Sequence, residues 1–136
     1  MTTLLALDIG GTKIGWGIVE AEDSFTVTER GSIPTLAAKG GADVAARICA
    51  LASELIESHP AITGIAVASA GVVDLATGTI VSATNIMPGW AGTKLGDLLS
   101  AHTQLPVRVL NDVHAHGLGE ATLGAGRPYR SVLSIA

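Results

Sequence analysis

The chain has 136 residues, of which 48% are hydrophobic and 15% charged, and it carries a formal net charge of −4. That length suits one domain with a substantial core, and that composition excludes an intrinsically disordered chain. The acidic balance, with the eight Lys and Arg scattered along the chain, argues against a nucleic-acid surface.

Thr3 to Ile9 reads as a buried strand, Ile14 to Val19 as a second and Phe25 to Ile33 as a third, joined by short turns at Gly10 to Lys13 and Ala21 to Ser24. An antiparallel meander follows from those short connections. No basic segment precedes the first strand and Asp8 interrupts it, so a secretory signal is not expected, nor is there room ahead of Leu4 for DNA-binding helices. Pro34 to Gly41 is a loop. From Ala42 to Ser58 the apolar residues Val44, Ile48, Leu51 and Leu55 recur at helical spacing, and Pro60 stops the helix. The single cysteine, Cys49, lies within that pattern and reads as a buried, inert thiol with no disulfide partner in the chain.

Ile62 to Ala68 is the next buried strand, and the apolar run that continues to Val73 is too short and too polar to cross a bilayer. Gly71 to Gly92 reads as a long loop with a short extended piece at Thr79 to Ser82. Leu95, Leu98 and Leu99 mark a short helix ending before Pro106, Val107 to Leu110 a strand, and Asp112 to Leu123 a helix weakened by Gly117 and Gly119. Gly124 to Arg127 reads as a helix-terminating loop, and Ser131 to Ala136 as the start of another strand. Strands alternating with helices after a meander predict an α/β domain: a mixed sheet with helices on both faces.

Three constellations carry chemistry. In "LDIGGTK" the glycines at the hairpin tip turn backbone N–H groups toward an anion, Thr12 adds a hydroxyl and Lys13 a charge. Asp8 beside such a cradle makes sense as a Mg²⁺ ligand, direct or through water, because it would otherwise repel a phosphate. Plain hairpin punctuation explains the same residues. No P-loop occurs, since a strand follows where a helix would be needed. In "VRVLNDVHAHGLGE", Asn111 and Asp112 stand where a strand hands over to a helix, the end of a parallel strand at which ligands bind. Asp112 suits an N-cap and a general base alike; Glu120 reads as structural. In "ASAGVVDLATGTIVSATNIMPGW", Thr84, Asn85 and Trp90 join small residues, offering the mixed donors and acceptors that sugar hydroxyls need. His114 and His116, two apart on a helix, cannot share an ion, while His59 and His102 near helix ends read as solvated.

Taken in order, "LDIGGTK", "SAGVVD", "TNIMPGW" and "LPVRVLNDVHAHGLGE…GAGR" resemble the first half of a ROK-family sugar kinase, within the actin-like, ribonuclease H-like ATPase superfamily. The resemblance covers essentially the whole chain. It implies ATP-dependent phosphorylation of glucose, N-acetylmannosamine or a related hexose, in the cytoplasm. Asp112 matches the family's catalytic base and Asn111 a sugar contact beside it. Gly10, Gly11, Thr12 and Lys13 match the ATP phosphate loop, Asp8 the magnesium-associated carboxylate, and Gly71, Thr84 and Asn85 the sugar-pocket segments.

Family members run to about twice this length. The resemblance therefore assigns residues 1–130 to the N-terminal lobe and 131–136 to the start of a second lobe. The second phosphate loop, the structural zinc cluster, the further sugar ligands and the adenosine pocket belong to that absent part. The partners implied are the sugar and ATP with Mg²⁺, with no nucleic acid and no membrane, and a homo-oligomer at full length. Ser69-Ala70, where many glucokinase-like members have a proline-containing turn, leans toward N-acetylmannosamine kinases. Three other readings remain: the sugar-sensing module of a ROK repressor, a generic actin-like ATPase, and an α/β domain with ordinary turns.

Overall fold

The computed structural model describes residues 1–126, 128–130 and 133. Strands β1 (Thr2–Ile9), β2 (Lys13–Ala21) and β3 (Phe25–Pro34) form the antiparallel meander. Helix α1 (Gly41–Ser58), reached through a 3-10 turn at Ala37–Lys39, leads to β4 (Ile62–Ser69). A small hairpin, β5 (Val72–Asp74) with β6 (Thr79–Ser82), precedes α2 (Leu95–Thr103), β7 (Val107–Asn111) and α3 (Asp112–Thr122). The five-stranded sheet has the order β3-β2-β1-β4-β7, with β1, β4 and β7 parallel.

Alternation along β1 decides the layers. Leu5, Leu7 and Ile9 are buried, and their neighbours Ile65 and Val67 of β4 and Ile18 of β2 join them. The stripe Val44, Ile48, Leu51 and Leu55 of α1 covers this face, and Leu95 and Leu99 of α2 extend the same core. Each such side chain removed from water contributes about 1.5–3 kcal/mol. The opposite face carries Ala6, Asp8, Ala66 and Ala68, and α3 leans over one end of it. Cys49 is buried as the pattern required, and burial pushes its thiol pKa up.

Three expectations change. Gly71 to Gly92 is not one long loop: β5 pairs with β6, and three residues are too few for a strand to declare itself in the sequence. The N-cap of α3 is Asn111, and Asp112 is the first helical residue. His59 is not simply solvated: its Nδ1–H donates to Leu55 O at 2.9 Å and its Nε2 lies 2.6 Å from Glu29 Oε2 on β3. The expected strand over 131–136 falls outside the described residues apart from Leu133, as does Arg127. No helix among the described residues is long and apolar enough to cross a membrane.

The His59–Glu29 clip ties the end of α1 to the sheet's edge strand. With Nδ1 donating to a carbonyl, Nε2 can donate to the carboxylate only in the imidazolium. The side-chain bond to Glu29 and the backbone bond to Leu55 accordingly hold the His59 pKa above 6.5. A raised folded-state pKa stabilises fully below the unfolded value and fades as pH climbs through the folded one. The melting-temperature advantage of the wild type over His59→Gln is therefore largest near about pH 5.5 and shrinks toward about pH 8.5. Thermal melts of both proteins across that range check it, and an advantage that does not vary with pH would contradict it.

Candidate active site

Parallel strands in register end together. Ile9 lies beside Ser69 and Ser69 beside Asn111, so the segments that follow β1, β4 and β7 emerge at one edge of the sheet. Ligands in parallel α/β sheets bind at this edge, because the loops there converge on one space.

The first segment is the tip Gly10–Lys13. Its turn is closed by the Gly10 N–H donating to Lys13 O at 3.0 Å. Thr35, just beyond β3, holds it from below: the Thr35 N–H donates to Thr12 O at 2.9 Å and its hydroxyl to Gly10 O at 2.7 Å. Arg47 of α1 in turn donates to Thr35 O and Pro34 O, at 2.5 and 2.6 Å. The sequence alone assigns Thr35 no role beyond its loop and places Arg47 only off the apolar stripe of α1. Nothing local to "IPTLAAK" announces bonds that reach 25 residues back along the chain.

The second segment starts at Ala70, whose N–H donates to Ile9 O at 3.1 Å and so ties it to the first. Gly71 has φ +98°, and a Cβ there would sit 2.7 Å from Ser82 O, so only glycine fits the corner. Trp90, 1% exposed, anchors the stretch after β6 by donating from Nε1 to Ser69 Oγ (3.3 Å) and Ala70 O (3.2 Å).

The third segment is Asn111-Asp112. Asn111 Oδ1 accepts from the Val113 and His114 N–H groups at 3.0 and 3.3 Å, and its Nδ2 donates to Gly71 O at 2.5 Å. Three of the four hydrogen-bonding positions of that amide are therefore taken within the chain, leaving one N–H for a ligand. Asp112 Oδ1 accepts from the Val113 N–H at 2.9 Å.

Two concavities meet at Asp112. The smaller, 380 Å³, is bounded by Gly11 of the first segment, Gly71 and Thr84, the apolar Val72, Ile86 and Met87, and Asp112. The larger, 1010 Å³, spreads over the sheet face opposite α1 and takes in Asp8, Lys13 and Asp112. Asp8 and Asp112 thus face common space, with Asp112 at the junction. Asn85 is exposed and borders neither hollow, and the Asn111 amide is largely spent on the backbone. His114 and His116 are exposed on α3, and Glu120 accepts from the Ala125 N–H at 3.0 Å, which closes the end of that helix.

The arrangement can bind an anion at the Gly10–Lys13 tip and take a proton at Asp112. Among the described residues no group of three or more His, Cys, Asp or Glu forms a metal cage. A lone Asp8 nevertheless fits Mg²⁺, which keeps several waters and binds through one or two carboxylates plus substrate phosphates.

Residues 4–136 match the ROK family. A glucokinase of Halalkalibacterium halodurans is 33% identical over 135 residues, covering 96% of this chain and 40% of its own. An N-acetylmannosamine kinase of Pasteurella multocida is 34% identical over 119 residues, covering 85% and 37%. The crystal structure of a ROK glucokinase from Streptomyces griseus in complex with glucose and AMPPNP superposes with a TM-score of 0.76 at 31% identity, over 91% of this chain and 38% of that one. The chain thus spans about 40% of the length of such relatives.

Because Asn111 joins the β5 corner to the start of α3, Asn111→Asp separates its two attachments. The carboxylate keeps the cap on Val113 and His114 and loses the donor to Gly71 O. Hydrogen exchange of the 72–74 amides should then accelerate about tenfold or more while the α3 first turn keeps its protection. Unchanged exchange at 72–74 would mean that the Gly71 bond holds nothing.

Proposed function

The chain belongs to the ROK family, and from that premise we propose that residues 1–130 are the N-terminal lobe of an ATP-dependent hexose kinase, with 131–136 entering a second lobe. The observation that carries the reading is the in-register row Ile9, Ser69 and Asn111, beside which Gly11 of the tip and Asp112 line the smaller hollow and Asp8, Lys13 and Asp112 the larger. Phosphoryl transfer needs mainly positioning and charge stabilisation, so an N–H cradle and one fixed base are the parts this lobe has to contribute.

In this mechanism the sugar occupies the smaller hollow between Gly71, Thr84 and Asp112. Asp112, held at a strand end by the Val113 N–H, accepts the proton of the attacking hydroxyl. The Gly11 and Thr12 N–H groups and the Lys13 ammonium take the phosphates of ATP. Asp8 would hold magnesium, directly or through water, and the ion would neutralise phosphate charge when bound. The substrate is glucose, N-acetylmannosamine or a related hexose; Ser69-Ala70 at the corner favours the N-acetylated sugar. The complete kinase is cytoplasmic and a homo-oligomer, and structural zinc belongs to its second lobe. A sugar-sensing repressor module would have no use for a base at Asp112 or a metal carboxylate at Asp8, which is why the enzyme reading is preferred.

One lobe offers ATP a single wall, so the 136-residue chain alone should phosphorylate none of these sugars above background in a coupled ADP-release assay. Joined to the second lobe of a ROK glucokinase it should do so, and Asp112→Asn in that joined protein should lower kcat by about 10²–10⁴-fold with a smaller change in the sugar KM. Normal turnover by the lobe alone, or a joined protein indifferent to Asp112→Asn, would refute the assignment.

A further inference from the structure

We propose that Thr35 is a positioning residue that makes the Gly10–Lys13 tip an anion cradle by holding its carbonyls inward. The inference rests on the reading of that tip as the phosphate site.

A glycine-rich tip has no intrinsic reason to point N–H groups outward. Glycine peptides turn over at little steric cost, and an outward carbonyl would present its negative end to a phosphate. Thr35 removes that freedom. It is fully buried, and its hydroxyl and N–H take Gly10 O and Thr12 O, two carbonyls of the tip. In a trans peptide the C=O and the N–H of the next residue point opposite ways. Holding Gly10 O inward therefore turns the Gly11 N–H outward, while the bond to Thr12 O anchors the far end of the turn.

The third N–H in question, that of Gly10, is already spent on Lys13 O. Among the described residues the Gly11 and Thr12 N–H groups have no hydrogen-bond partner, and both residues are exposed. Thr35 is itself held, because Arg47 of α1 takes its carbonyl and that of Pro34. Of the Gly11 and Thr12 donors, the Gly11 N–H is the one Thr35 orients, from 25 positions along the chain and without meeting the ligand.

Titration of the ¹⁵N-labelled chain with MgATP, and separately with glucose and N-acetylmannosamine, tests this. In the wild type MgATP should shift the Gly11, Thr12 and Lys13 amides. Thr35→Val, which keeps the shape and removes the hydroxyl, should weaken MgATP about tenfold or more, while sugar-induced shifts at Gly71 and Thr84 hold their midpoints. Thr35→Ser, which keeps the donor, should restore MgATP binding to within about threefold of wild type. A general loss of packing would weaken both ligands together and would not be rescued by serine alone.

Thr35→Val binding MgATP like the wild type, with the amide shifts intact, would overturn the inference and leave the phosphate-site reading standing. A wild type whose 11–13 amides ignore MgATP would overturn both. Should Thr35→Val fail to fold, Thr35→Cys, whose thiol donates poorly, is expected to weaken MgATP several-fold, and no weakening there would equally overturn the inference.

Discussion

The site depends on one row of the sheet, in which Ile9, Ser69 and Asn111 stand side by side at the carboxyl ends of three parallel strands. A slip of one residue in β1 would turn Leu5, Leu7 and Ile9 out of the core, at a cost of about 1.5–3 kcal/mol for each. The alternation that builds the core therefore also fixes which loops become neighbours. Position at the edge is inherited from burial beneath α1, and the loops need few contacts of their own to stay in place. Ala70 N–H to Ile9 O and Asn111 Nδ2 to Gly71 O then join the three segments across the row.

What remains at that edge is a division of polar groups. Backbone carbonyls at Gly10, Thr12, Ala70 and Gly71 are bonded within the chain, to Thr35, Trp90 and Asn111. Backbone donors and two carboxylates are left facing outward. Two like unit charges about 4 Å apart repel by roughly 4 kcal/mol at an effective dielectric of about 20. An anion approaching the tip alone would therefore be opposed by Asp8, whereas an anion carrying a divalent cation would be drawn to both the N–H groups and the acid. On the kinase reading this is selection for a metal-bound phosphate, built from a sheet end and a turn.

Much of this was legible in the sequence, for physical reasons that differ by residue. The alternation of β1 and the helical stripe from Val44 to Leu55 report burial directly, so the core and the order of elements could be read. Asp8 with Gly10-Gly11-Thr12-Lys13, and Asp112 at a strand end, stand out because charge and glycine interrupt apolar runs. Thr35 and Arg47 could not be found that way. A buried threonine after a proline looks like any loop residue, and an arginine on α1 looks solvated, until the fold brings both beneath the tip. Nor could the sequence decide between Asn111 and Asp112 as the cap, since either side chain can accept from the first turn. The register that aims Asn111 Nδ2 at Gly71 O settles it, leaving the Asp112 carboxylate at the edge of both hollows.

The two sides of the smaller hollow are held unequally, and this bears on where substrate discrimination would reside. Asp112 is fixed by the strand it follows and by the N–H it accepts. The opposite side, after β6, is pinned from behind by Met87 and by Trp90, whose indole N–H is satisfied by Ser69 and Ala70 in a chain with few aromatics. Between those anchors and β6 lie Thr84, Asn85 and Ile86, all exposed, with Ile86 against the glycine tip close to Gly11. Changes at 84–86 leave every hydrogen bond of the Asp112 side untouched, whereas changes at Gly71 or Asn111 would disturb the corner and the cap together. On the kinase reading, variation among sugars is cheapest at Thr84 and Ile86, which line the smaller hollow, and the proton-accepting side has little freedom to vary.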